Sequence, residues 1–149
     1  MMHPGGGMGG PMGPSGVTKI GNLTYNTAAL LCYVPIFGIN LISSILFLVT
    51  EPRESKFVRF HAIQSLTLMA VTFVCVFAIG CCTGVMIPVV GNMGPDQAGL
   101  VGIVGLVLGG LQALVALTMF GLHVWLMFKA YGNEMWKVPV IGNLAETRS

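Results

Sequence analysis

Three polar side chains stand out in a chain that otherwise avoids polarity: His61, Gln64 and His123, each placed just inside the end of an apolar segment. An imidazole or an amide carried into hydrocarbon is costly unless it is hydrogen-bonded. Such residues therefore either lock helices together or face a ligand, an ion or a proton path. Arg59 precedes His61 by two residues and Asn40 lies deep in the preceding apolar stretch, giving a candidate polar cluster of Arg59, His61, Gln64, His123 and Asn40. Two histidines are fewer than the three or four ligands a zinc-type centre asks for. No Asp or Glu interrupts the apolar segments, which counts against an intramembrane aspartyl protease, a carboxylate proton relay and a di-metal carboxylate site. Triad spacing and phosphate-loop patterns are also missing. We therefore expect no enzyme activity, with no catalytic, cofactor-binding or metal-binding residue and no cofactor.

The elements that must position these groups are membrane elements. Of 149 residues, 54% are hydrophobic and 8% charged, against about 25% charged in a soluble domain. The charges fall in clusters flanking long uncharged runs, and a net charge of +2 gives no reason to expect a nucleic-acid partner. Cys32, Cys75, Cys81 and Cys82 all lie in apolar stretches without metal-ligand spacing and read as small packing residues.

Residues 1–24 read as a disordered, Gly/Pro/Met-rich leader, since such a composition cannot bury enough surface to offset its ordering entropy. Residues 25–146 read as one all-α integral membrane domain, a bundle of three transmembrane helices at approximately 26–50, 56–87 and 97–130. Each uncharged run exceeds the ~20 residues that span ~30 Å of hydrocarbon. Pro35 and Asn40 interrupt the first, which membrane helices tolerate when neighbours satisfy the freed carbonyls. Tyr33, Phe37, Asn40 and Ser44 share one of its faces. Pro52 ends this helix, and Ser55 is the expected N-cap of the second.

Two seams are visible. On the second helix His61, Ser65, Leu68, Thr72, Cys75, Ile79 and Cys82 follow a 4-3 alternation that gathers small and weakly polar groups. On the third, Gly102, Gly105, Gly109, Gln112 and Ala116, continued by Met119 and His123, form a packing seam of small residues containing one GxxxG. If both basic helix ends face one side, Gln64 and His123 reach a similar depth and should meet, together with His61.

The run Phe57-Val58-Arg59-Phe60-His61-Ala62, followed by Gln64-Ser65, resembles the hallmark of a family of small bacterial membrane proteins of uncharacterised function. That family is related to the membrane component of the chloroplast inner-envelope protein import machinery. The resemblance extends to Ala29–Tyr33, Phe47–Glu51, Lys129-Ala130-Tyr131 with Glu134, and Val138–Glu146. It implies a helical membrane bundle with a link to protein translocation, and it brings no catalytic residues.

Orientation follows from basic residues. Arg53, Lys56 and Arg59 in the 51–59 loop, with Lys129, Lys137 and Arg148 in the tail, face Lys19 alone in the leader. Short basic loops stay inside, so the expected protein spans a bacterial inner membrane with the loop and C-terminus cytoplasmic and the N-terminus outside. The expected function is an interaction or assembly subunit, tied to protein translocation, whose partners are the lipid bilayer and another membrane protein or a second copy. The alternative is a small transporter or channel subunit with a path lined by Asn40, His61, Gln64 and His123.

Overall fold

The computed structural model describes residues 16–94, 96, 98–139 and 141–149. The described residues contain five helices: α1 (Tyr25–Leu31), α2 (Phe37–Thr50), α3 (Lys56–Gly91), α4 (Ala98–Tyr131) and α5 (Ile141–Arg148). The all-helical expectation holds, and two helices, α3 and α4, are long and apolar enough to cross a membrane. The sequence pattern called for three such helices.

The first apolar stretch departs from expectation because it does not continue through Pro35. A proline lacks the N–H that the ladder needs and pushes the residue before it out of the α region. The chain leaves α1 at Cys32 and restarts as α2 at Phe37. The two pieces fold back on each other: Ser43 Oγ, 2.6 Å from Ile39 O on its own helix, shares its hydrogen with Leu31 O at 2.9 Å, Tyr25 Oη pairs with Ser55 Oγ at 3.1 Å, and the Lys19 N–H donates to Glu51 Oε1 at 2.7 Å. The start of α1 and the end of α2 therefore lie at the same end of the bundle, beside the 51–59 loop. Residues 17–24 sit on the loop side, where three successive crossings would have put them opposite. α1 is about 10 Å long and α2 about 21 Å. Together they form a helical hairpin whose tip is at residues 32–36.

Of the leader, residues 1–15 lie outside the described residues. Residues 17–24 form a closed turn: Val17 and Thr24 are bridged, the Thr18 N–H donates to Leu23 O at 2.8 Å, and Thr18 is buried.

α3 and α4 run about 54 and 51 Å and pack along each other, with α2 on the first half of α3 and α1 against both. Every buried residue of α3 but Val90 lies between Phe57 and Leu68, and those of α4 are His123, Leu126 and Ala130. The core thus sits at the basic end, where Ala28, Tyr33, Phe47, Phe57, Ala62 and Leu126 meet. Beyond it α3 and α4 stand out as a two-helix hairpin with exposed Phe73, Phe77, Val85, Leu106 and Leu117. Threonine hydroxyls in this region return to their own helices, Thr72 to Leu68 O, Thr83 to Ile79 O and Thr118 to Leu114 O, so no hydroxyl hydrogen needs a partner from the surroundings.

α3 continues to Gly91, past Pro88, where the sequence placed its end near 87. Ser55 holds the N-cap position but makes no cap bond, because its hydroxyl is taken by Tyr25. The tail after α4 turns back to pack α5 on α3, burying Val138, Gly142 and Ala145. A Cβ on Gly142 would stand 2.7 Å from Lys137 Cα, so this turn closes only on glycine.

Candidate functional site

Beneath the basic end, the hairpin tip carries Tyr33 into the gap between α3 and α4. Tyr33 is fully buried, its Oη 3.3 Å from His61 Nδ1. The Tyr33 ring stands edge-on to both imidazoles, with centroid separations of 5.6 Å to His61 and 6.5 Å to His123. The two histidines are thus brought to one place, joined through a tyrosine rather than by a direct bond. His61 is packed further between Phe57 and Phe60, at 4.6 and 5.1 Å, and its Nε2 has no partner among the described residues.

Gln64 takes a different route. It is fully buried, yet its Nε2 donates to Trp136 O in the tail at 3.2 Å while Oε1 has no partner among the described residues. Gln64 therefore anchors the segment after α4 and does not bond His123. The His123 Nδ1–H donates to Met119 O at 2.8 Å on its own helix; in the neutral ring this leaves Nε2 as an acceptor.

One layer deeper, Ser65 Oγ shares its single hydrogen between Cys32 O, just before the tip, and Asn40 Oδ1 at 3.0 Å. Asn40 is buried to 3% exposure and faces α3, as a buried amide should. At the shallow edge Arg59 Nη1 donates to Leu48 O at 2.8 Å and Glu51 O at 3.1 Å, satisfying the orphan carbonyls at the end of α2. The five predicted residues thus all hold the hairpin or the tail to α3 and α4, in three layers rather than one cluster.

The second-helix seam is used from His61 to Ile79, after which Thr83, Ile87 and Val90 replace Cys82 on the inner face. A straight helix drifts from a seven-residue repeat by about 20° per heptad, which accounts for the change. The third-helix seam is divided. Gly105 and Gln112 face inward with Val101, Val104, Leu108 and Val115, whereas Gly102, Gly109 and Ala116 are exposed. A Cβ on Gly105 would meet Ile87 at 3.8 Å; on Gly102 or Gly109 it would meet nothing within 4 Å among the described residues. Branched side chains, not glycines, set the α3–α4 spacing within one chain.

A 320 Å³ cavity lies under the hairpin tip, lined by Pro35, Asn40, Met69, Thr72, Phe73, Val76, Ala116, Met119, Phe120 and His123. A larger, wholly apolar groove of 690 Å³ separates Cys81, Cys82, Val85 and Met86 on α3 from Ile103, Val104, Val107 and Leu108 on α4. Among the described residues, no three His, Cys, Asp or Glu side chains converge on a point that could hold a metal ion.

Sequence reasoning passed over three partners. Tyr33 reads as part of a continuous helix face, and the signal for its turn is Pro35 two residues on. The Glu51 side chain and the Trp136 carbonyl, both outside the apolar segments, carried no signal at all.

No curated protein and no solved structure matches the chain. The resemblance carried by Phe57–Ser65 is corrected in one respect: a small bacterial membrane protein family stands, but without a tie to chloroplast import. Over residues 21–145 the sequence matches the model of the magnetosome magnetite crystal formation protein family, and the chain belongs to that family.

Proposed function

We propose that the chain is a membrane-embedded assembly subunit that takes part in magnetite crystal formation by holding copies of itself or another membrane protein, without catalysing a reaction. The observation that carries this reading is the two-helix hairpin beyond the core. Its exposed apolar residues, its 690 Å³ groove and its outward-facing Gly102, Gly109 and Ala116 have no partner within the described chain. Lipid can cover such a surface, but small residues in a row favour close approach of another helix.

In this reading α3 and α4 cross the membrane, and α1–α2 is a re-entrant hairpin that enters and leaves on one side. Residues 17–24, the 51–59 loop and the C-terminus then share the cytoplasmic face. Support comes from the Lys19–Glu51 contact and from the six basic residues at that end. Exposed Trp125, Phe128, Tyr131 and Trp136 form an aromatic girdle at the same level, with Lys129 Nζ 5.4 Å from the Trp125 ring centre. Irregular backbone at the tip is compatible with membrane depth because Ser65, Ser43 and Tyr33 bind it to the bundle. Membership of a magnetosome family supports the magnetosome membrane as the membrane crossed.

The path lined by Asn40, His61, Gln64 and His123 is less well supported. His61 and Gln64 are fully enclosed inside a single chain, so they do not line a gap between chains. The assembly reading is tested by deleting the chain in a magnetosome-forming bacterium and restoring it as wild type or Gly109→Ile. Crystals of altered size or shape on deletion, rescued by the wild type and poorly by the variant, are expected. Unchanged crystals on deletion would end this reading.

A further inference from the structure

The cavity under the hairpin tip has the chemistry of a ligand site. Its walls are apolar and soft, with Met69 and Met119, Phe73 and Phe120, and Pro35 at the tip. Two polar groups interrupt them, and each has hydrogen-bonding capacity left over. Asn40, 3% exposed, uses Oδ1 to accept from Ser65, and its Nδ2 amide has no partner among the described residues. His123, 9% exposed, spends Nδ1–H on Met119 O, and its Nε2 lone pair likewise has no partner. The Thr72 hydrogen goes to Leu68 O and is not available. The first turn of α2, which starts at the same tip, has no side-chain cap, so its N–H groups add donors nearby.

We propose that this cavity binds an uncharged, lipid-soluble phenol or quinol, whose hydroxyl accepts from Asn40 Nδ2 and donates to His123 Nε2 while its ring packs between the methionines and phenylalanines. A hydroxyl satisfies both groups because it is donor and acceptor at once; a carbonyl or ether oxygen satisfies Asn40 alone. A ring is favoured over an acyl chain by the paired aromatic and thioether walls. The volume of 320 Å³ accommodates a single substituted ring, at the lower end of the ~300–1,000 Å³ usual for small-molecule sites. Entry is through the lipid, past exposed Phe73 and Phe120, so the ligand must be neutral.

The test uses the full chain in lipid nanodiscs, labelled with 15N-histidine, and two probes of matched hydrophobicity, 4-nonylphenol and its methyl ether 4-nonylanisole. The phenol should shift the His123 Nε2 resonance saturably and raise the Tm, while the anisole, which cannot donate, does neither. Ala116→Phe fills the cavity from its exposed mouth and should abolish the phenol effect without changing the Tm of the unliganded protein. Asn40→Leu should weaken phenol binding by about tenfold, the loss of one hydrogen bond. Equal responses to phenol and anisole, or a phenol response that survives Ala116→Phe, would overturn the proposal. No shift in the wild type would do so as well, and would point to a neighbouring chain filling the cavity; the comparison of the two probes in unaltered protein does not depend on any variant folding.

Discussion

The Lys19 backbone N–H and the Glu51 carboxylate are 2.7 Å apart across 32 residues, and this contact closes the α1–α2 hairpin at its mouth. Glu51 is only 3% exposed, so its carboxylate is committed to the contact. Replacing it with alanine should free residues 17–24. Limited trypsin digestion in mild detergent should cut after Lys19 much faster in Glu51→Ala than in the wild type, with Glu51→Gln close to wild type because an acceptor remains.

Arg59 holds the same mouth from α3. Its guanidinium bonds two carbonyls at the end of α2, and a lysine offers a single point charge in place of a fork. Arg59→Ala should destabilise the protein by roughly 1.5–3 kcal/mol, the range for hydrogen bonds to charged groups. Arg59→Lys should recover part of this. Hydrogen exchange at residues 46–52 should rise in both, ahead of exchange in α4.

How much of this arrangement was legible in the sequence depends on the signal each part carries. The α3 seam through Ile79 and the burial of Asn40, His61, Gln64 and His123 follow from spacing and from the cost of polar groups in hydrocarbon, and both are found. The fold-back of the first stretch was not legible. Hydropathy records how long an apolar run is, and a hairpin of two short helices has the same length and composition as one crossing. Pro35 marks a break or a tolerated kink equally well, and what decides is tertiary: Ser65 bonding Cys32 O, and Glu51 reaching Lys19. The α4 seam is half legible because its glycines signal close approach, whereas Val104, Leu108 and Val115 fill the interface instead.

Tyr33 is the link between the two histidines. Tyr33→Phe keeps the ring packing and leaves His61 Nδ1 without a partner, a loss expected to cost about 1–3 kcal/mol for a buried polar group. Thermal unfolding in detergent should register it, and His61→Phe in the Tyr33→Phe background should cost less than the two single changes added together. Strict additivity would mean that the pair is not coupled.

Gly109 separates packing within the chain from packing between chains. Its Cβ direction opens on empty space, so Gly109→Ile should leave the Tm of the monomer unchanged and reduce crosslinked oligomers in native membranes. Gly105→Ile, on the inner face beside Ile87, should lower the Tm itself. A drop in Tm for Gly109→Ile in dilute detergent would place that face inside the chain after all.

The re-entrant hairpin is tested most directly by cysteine accessibility in sealed vesicles, with the native cysteines replaced and an impermeant thiol reagent applied to one side. Three single-cysteine proteins suffice: Ile20→Cys before α1, Glu54→Cys in the basic loop and Asn92→Cys after α3. Two crossings with a fold-back predict that positions 20 and 54 label from the same side and position 92 from the other. Labelling of 20 together with 92, and of 54 opposite them, would mean that residues 25–50 cross the membrane and would contradict the account.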